Sequence, residues 1–164
     1  MKRLTMLIVV LAILLSNASV FGQPPNCPWR FVTGHWKATD SDGNEVEVVW
    51  RPSGENALIG VYNGGQSTEL IGWRTDKKQF VSTGYGDGGV YWEAIFTHVT
   101  KNRIKGKTRH HLPEGKIQKG TLQVTKKGPN VMKSQFKGTI GGEKVTRKRS
   151  WERVKKRRVK RKGK

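Results

Sequence analysis

Arg103-Ile104-Lys105-Gly106-Lys107-Thr108-Arg109-His110-His111-Leu112 alternates from end to end. Arg103, Lys105, Lys107, Arg109 and His111 share one side, and Ile104, Gly106, Thr108, His110 and Leu112 the other. Period two is the mark of a β-strand, whose successive side chains leave opposite faces. A face with four permanent cations must be solvated, so the second set points inward. That inward set is small and half-polar, where a packed sandwich core favours Val, Ile and Leu. A closed barrel with space inside accommodates it better.

Outward from this strand the chain is cut at short intervals by turn residues. They are Asp42-Gly43, Ser53-Gly54, Asn63-Gly64-Gly65, Asp76-Lys77, Gly86-Asp87-Gly88-Gly89, Lys101-Asn102, Pro113-Glu114-Gly115, Gly128-Pro129-Asn130 and Gly141-Gly142. The segments between them read as strands over 30–39, 45–51, 56–62, 68–74, 79–85, 90–99, 103–112, 116–126, 131–140 and 144–154. Evenly spaced short strands with Gly, Asn, Asp and Pro turns specify an all-β fold. We therefore expect an antiparallel up-and-down meander of about ten strands closed into a barrel, with a β-sandwich as the alternative. In the segment 90–99, Val90, Trp92, Ala94, Phe96 and His98 are expected on one face.

The first 22 residues read as a secretory signal peptide rather than part of the fold: a basic Met1-Lys2-Arg3, an apolar run to Leu15, then small residues ending at Gly22. The apolar run is short for a spanning helix, the alternative being a retained anchor. Its removal leaves 142 residues, enough for one domain with a substantial core. Residues 23–29 read as a Pro-rich leader, 30–154 as the domain and 155–164 as a disordered basic tail. Export to the periplasm or the extracellular space follows. With Cys27 the only cysteine, no internal disulfide can form, which leaves a free thiol or a link between chains.

Charge is divided unevenly. The stretch 23–97 has 6 basic and 9 acidic residues, whereas 98–154 has 16 basic and 3 acidic. The last ten residues add 8 cations and no acid. A polyanion partner is one reading, with Arg103, Lys105, Lys107, Arg109, Lys155, Lys156, Arg157, Arg158, Lys160, Arg161 and Lys162 as its binding residues. Anionic lipid or acidic polysaccharide suits an exported protein better than nucleic acid does. The other reading is a solubilising tail.

Gly34-x-Trp36 opens the first strand and Arg149-x-Trp151-Glu152-Arg153-Val154 closes the last. The first motif resembles the signature of the calycin superfamily, the lipocalins and fatty-acid-binding proteins. That resemblance implies a tryptophan sealing the barrel floor, with a cation from the last strand, Arg149 or Arg153, lying across its indole. The second resembles the Arg-x-Tyr ending of fatty-acid-binding proteins, which makes Arg149 the implied partner of a ligand carboxylate. The helix pair between the first two strands of fatty-acid-binding proteins is missing, as are the C-terminal helix and disulfides of lipocalins. The resemblance therefore extends to a calycin-like barrel and to no subfamily.

Other motifs have plainer readings. Gly84-Tyr85-Gly86-Asp87-Gly88-Gly89 has the letters of a dinucleotide loop but runs into a strand rather than a helix, so it reads as a hairpin turn. His110 and His111 point to opposite faces and cannot share an inward ion. Haem held by one inward histidine, His98 or His110, as in nitrobindin-like barrels, is the one cofactor left open; otherwise none is expected. No nucleophile beside a base and no carboxylate pair stands out: Glu45 and Glu47 read as exposed, and Glu93 lacks a partner. Six tryptophans serve first as core, with Trp73 and Trp151 loosely placed for stacking on sugars or bases. The function expected is non-catalytic capture of a small apolar or amphipathic, carboxylate-bearing ligand inside the barrel. Its site residues would be Trp36, Trp92, Phe96, His98, His110, Arg147, Arg149 and Trp151.

Overall fold

The structure, a computed structural model, describes residues 28–39 and 43–155. Ten strands follow one another around a closed antiparallel barrel: β1 Gly34–Thr39, β2 Glu45–Pro52, β3 Ala57–Tyr62, β4 Ser67–Arg74, β5 Gln79–Gly86, β6 Val90–Val99, β7 Arg103–His111, β8 Ile117–Lys126, β9 Val131–Ile140 and β10 Glu143–Arg153. Every strand pairs with its neighbours in sequence, and β10 returns to β1 with Trp36 opposite Arg153 and Ala38 opposite Trp151. One continuous ladder leaves no free edge, which removes the sandwich alternative.

Because the strands alternate in direction, alternate hairpins gather at one end. The turns at Asn63–Gly65, Asp87–Gly89, Pro113–Gly115 and Gly141-Gly142 rim the mouth. At the opposite end, the floor, the turns after Pro52, Arg74, Val99 and Lys126 sit with a 3₁₀ turn over Arg30–Val32. The Gly-rich run after β5 is a hairpin turn: Asp87–Gly89 joins β5 to β6, which pair from Gly86 opposite Val90.

Two expectations need correction. The first strand begins at Gly34, because Arg30–Val32 coils across the floor instead of extending. This coil carries Trp29, read above as leader, into the core at 1% exposure. Trp29 meets Phe80 and Phe96 edge-on at 4.9 and 5.0 Å, and Trp73 meets Phe80 at 5.0 Å. Such edge-to-face geometry is the favoured packing of aromatic rings.

The second correction concerns β6. A register shift lies between Phe96 and His98: Phe96 pairs with Gly106, but His98 pairs with Lys105. One extra residue in a strand reverses the phase of everything beyond it. His98 is therefore exposed on the outside, and Val99 turns in against the core.

The barrel closes at the floor. The Arg153 guanidinium lies over the Trp36 indole, 4.2 Å from the ring centre. It donates to the Thr33 carbonyl at 2.7 Å and to those of Phe31 and Pro129 at 3.3 Å. Trp36 is 1% exposed and donates from Nε1 to the Val32 carbonyl at 2.7 Å. Gly34 stands at φ +114°, and a Cβ there would run into Nη1 of Arg153. Of the two arginines the resemblance offers for the indole, Arg153 is the one stacked on it.

Candidate functional site

Inside the wall is a cavity of about 390 Å³. Its lower part is apolar, walled by Val48, Ile71, Ala94, Phe96, Ile104 and Met132. Its upper part carries the polar side chains of Asn63, Ser67, Thr108, His110, Gln118 and Arg147 beside Val46 and Val90, and of these Asn63 and Arg147 are exposed. Strand parity sets this gradient. In β10, Arg147, Arg149, Trp151 and Arg153 share the inward face, so one strand carries cations from rim to floor. Arg147 is exposed at the rim and Arg149 is half-buried beneath it.

Six of the eight expected ligand-binding residues line this space: Trp92, Phe96, His110, Arg147, Arg149 and Trp151. Two do not. His98 points outward because of the bulge, and Trp36 is sealed beneath Arg153 as a closure element. The small inward residues of β7 also play a different part from the one expected. At Gly106 the missing side chain is replaced by the Phe96 ring, 2.9 Å from where a Cβ would sit. On β7 the cavity is lined by Ile104, Thr108 and His110, and not by Gly106.

His110 stacks on Trp92 at 5.9 Å, with the rings 17° from parallel. The Trp92 indole in turn fills the place of a Cβ at Gly84. Burial, helped by the charge of Arg147, pushes the His110 imidazole down to about 4, so it is neutral at neutral pH. Its tautomer follows from the partner. The Thr108 hydroxyl donates its single hydrogen to the Glu93 carbonyl at 3.2 Å, so its oxygen accepts from His110 Nε2–H at 2.8 Å. Nδ1 is left as an acceptor.

A polar cluster not foreseen in the sequence stands across from it. Glu69 is buried on β4, 9% exposed and lining the cavity. Its carboxylate accepts from the Tyr62 hydroxyl at 2.6 Å, from the Ser82 hydroxyl and from the Trp92 indole. Burial raises the Glu69 carboxyl above its usual range despite these donors. Burial also pushes Tyr62 well up, reinforced by the Glu69 charge and opposed by the charge of Arg149. Arg149 is thus within electrostatic reach of the cluster. The signal for Glu69 was parity with Ile71 and Trp73, which share its inward side of β4. At the same level the Trp151 indole donates to the Ser134 hydroxyl at 2.9 Å.

The remaining candidates fall outside the cavity. Glu93 is exposed on the outer face of β6. Glu47 is held by Lys37 at 3.0 Å and by His35, and the bond from Lys37 draws its carboxyl below the usual range. None of the six tryptophans is exposed, which removes Trp73 and Trp151 as open stacking platforms. Among the described residues no three His, Cys, Asp or Glu side chains are grouped to hold a metal. Arg103, Lys105, Lys107 and Arg109 are exposed on the outer wall, and Lys155 is exposed beyond β10. Lys156, Arg157, Arg158, Lys160, Arg161 and Lys162 lie outside the described residues, as do Cys27 and the expected signal peptide.

No protein-family model matches the chain, and no curated protein matches it. Among solved structures it is similar to a redesigned beta barrel, at 15% identity and a TM-score of 0.41, covering 81% of this chain and 100% of that one. It is also similar to EF1p2_mFAP2b bound to DFHBI, at 13% identity and a TM-score of 0.39, covering 76% of this chain and 95% of that one. Likenesses this distant bear on neither ligand nor mechanism.

Proposed function

We propose that this barrel is an exported, non-catalytic binding protein that takes a small amphipathic anion into its interior. The observation that supports this most directly is the gradient along the cavity. An apolar lower half gives way to Arg149 and then Arg147, both carried inward by one strand. Ligand sites combine an apolar body with a few convergent polar groups, and about 390 Å³ is at the small end of their usual size. The apolar part of the ligand would lie against Ile71, Phe96 and Ile104. A carboxylate would meet Arg149, where a charge-assisted, two-pronged hydrogen bond is available to a guanidinium and not to the neutral His110. The calycin-like resemblance of the two end motifs is in keeping with such a role, and the apolar run at the N-terminus is the ground for export.

Trp50, Trp92 and Trp151 line the cavity, so tryptophan fluorescence is the readout chosen for occupancy. Titration with decanoate and with decanol separates the headgroup from the chain. Decanoate is expected to bind at least tenfold more tightly, and Arg149→Gln to abolish that preference while leaving decanol binding unchanged. Equal affinity for acid and alcohol, or no binding of either, overturns the reading.

A further inference from the structure

The outer wall over β7 to β10 has a composition that single strands do not reveal. The registers align four outward residues from each strand into four rows. Nearest the floor the row reads Arg103, Thr125, Lys133, Ser150. The next reads Lys105, Gln123, Gln135, Lys148, and the third Lys107, Thr121, Lys137, Thr146. Nearest the mouth it reads Arg109, Lys119, Thr139, Lys144.

Of these sixteen positions nine are Lys or Arg and seven are Ser, Thr or Gln. There is no acid and no apolar side chain among them. All nine cations are exposed, and none makes a salt bridge among the described residues. With strands about 4.8 Å apart and residues about 3.3 Å apart, the lattice measures roughly 14 by 20 Å.

So many like charges cost folding energy through mutual repulsion and solubilise no better for being placed side by side. Solubility alone would scatter them. In three of the four rows no two cations are direct cross-strand neighbours; a hydroxyl or amide stands between them. Along those three rows positive charge is spaced by neutral hydrogen-bonding groups, while the β7 column is cationic throughout.

We infer that this wall binds a linear acidic polysaccharide, a chain bearing sulfate or carboxylate groups between hydroxyl-rich sugars. Cations would neutralise the anionic groups, and Thr, Ser and Gln would bond the intervening hydroxyls. Two other polyanions fit less well. Single-stranded nucleic acid is held by stacking its bases on aromatic rings, and the lattice contains no aromatic residue. Peripheral binding to a bilayer uses apolar side chains sunk into the acyl boundary. The exposed large apolar residues, Ile59, Leu70, Tyr85 and Ile95, all lie on β3 to β6 instead. The wall is independent of the cavity, so either proposal can fail without the other.

The test uses the full chain and immobilised dextran sulfate and polygalacturonate, with uncharged dextran, anionic phosphatidylglycerol vesicles and a duplex and a single-stranded DNA oligonucleotide as comparison. One variant combines Lys107→Gln, Lys119→Gln, Lys137→Gln and Lys144→Gln. A control removes four charges elsewhere, by Arg51→Gln, Lys77→Gln, Lys101→Gln and Lys127→Gln, and circular dichroism verifies that both fold. Binding to the two acidic polysaccharides is expected to fall at least tenfold in the lattice variant and less than threefold in the control. It should also weaken steeply with salt. Equal losses in the two variants would show a net-charge effect and overturn the proposal. Tighter binding to vesicles or to DNA than to either polysaccharide at the same ionic strength would overturn it as well.

Discussion

Removing the Arg153 side chain should open the seam at which the barrel closes. In the native protein its guanidinium stacks on Trp36 at 4.2 Å and donates to the carbonyls of Thr33, Phe31 and Pro129. The cation–π contact at this half-buried site is worth about 1 kcal/mol. The short charged bond to Thr33 adds about 1.5 kcal/mol, and the two longer ones together roughly another 0.5–1. Arg153→Ala is therefore expected to cost roughly 3 kcal/mol, which for a domain of this size lowers Tm by about 10 °C. Arg153→Lys restores a cation over the ring but cannot span three carbonyls, so it should recover only about 1 kcal/mol. Urea unfolding followed by tryptophan fluorescence measures both, and a cycle with Trp36→Phe isolates the stacking contribution. A loss below 1 kcal/mol for Arg153→Ala would refute the idea that this residue holds the ends together.

Gly34→Ala places a Cβ at φ +114° and against the same guanidinium, so equilibrium unfolding should show a loss of about 2 kcal/mol or more. The loss should be smaller in an Arg153→Ala background, where the obstacle is gone. His110 makes stability depend on pH. Its folded value of about 4 lies below the ordinary 6.5, so the unfolded chain takes up the proton first as pH falls. Its contribution is fully present above pH 6.5 and is lost towards pH 4, by up to roughly 3 kcal/mol. Thermal unfolding of His110→Gln should accordingly show a shallower decline from pH 7 to pH 4 than the native chain; parallel curves would refute the assignment.

The strand order was readable because each turn carries its own chemistry and each strand is short. Phase within a strand was readable where alternation is clean, as in β7, and there the inward residues fell as expected. In β6 the run Phe96-Thr97-His98 has no glycine or proline to mark the bulge, so parity carried past it reversed His98. Glu69 was hidden for a different reason. Leu70 beside it is 52% exposed, so the residue types of β4 contradict the true inside and outside. Trp29 sits in a stretch that local pattern reads as leader, and only packing against Phe80 and Phe96 makes it core. The cationic lattice is a relation between four strands, and no single strand contains it.

Ten is an even number, and a meander with an even number of strands brings both ends of the wall out on the same side. Here β1 starts and β10 finishes at the floor, side by side, with the Val154 N–H bonded to the His35 carbonyl at 2.9 Å. The described chain therefore enters and leaves the wall at one end, beside the Arg153–Trp36 stack. Among the described residues the mouth is bordered by hairpins alone, and no strand end interrupts its rim.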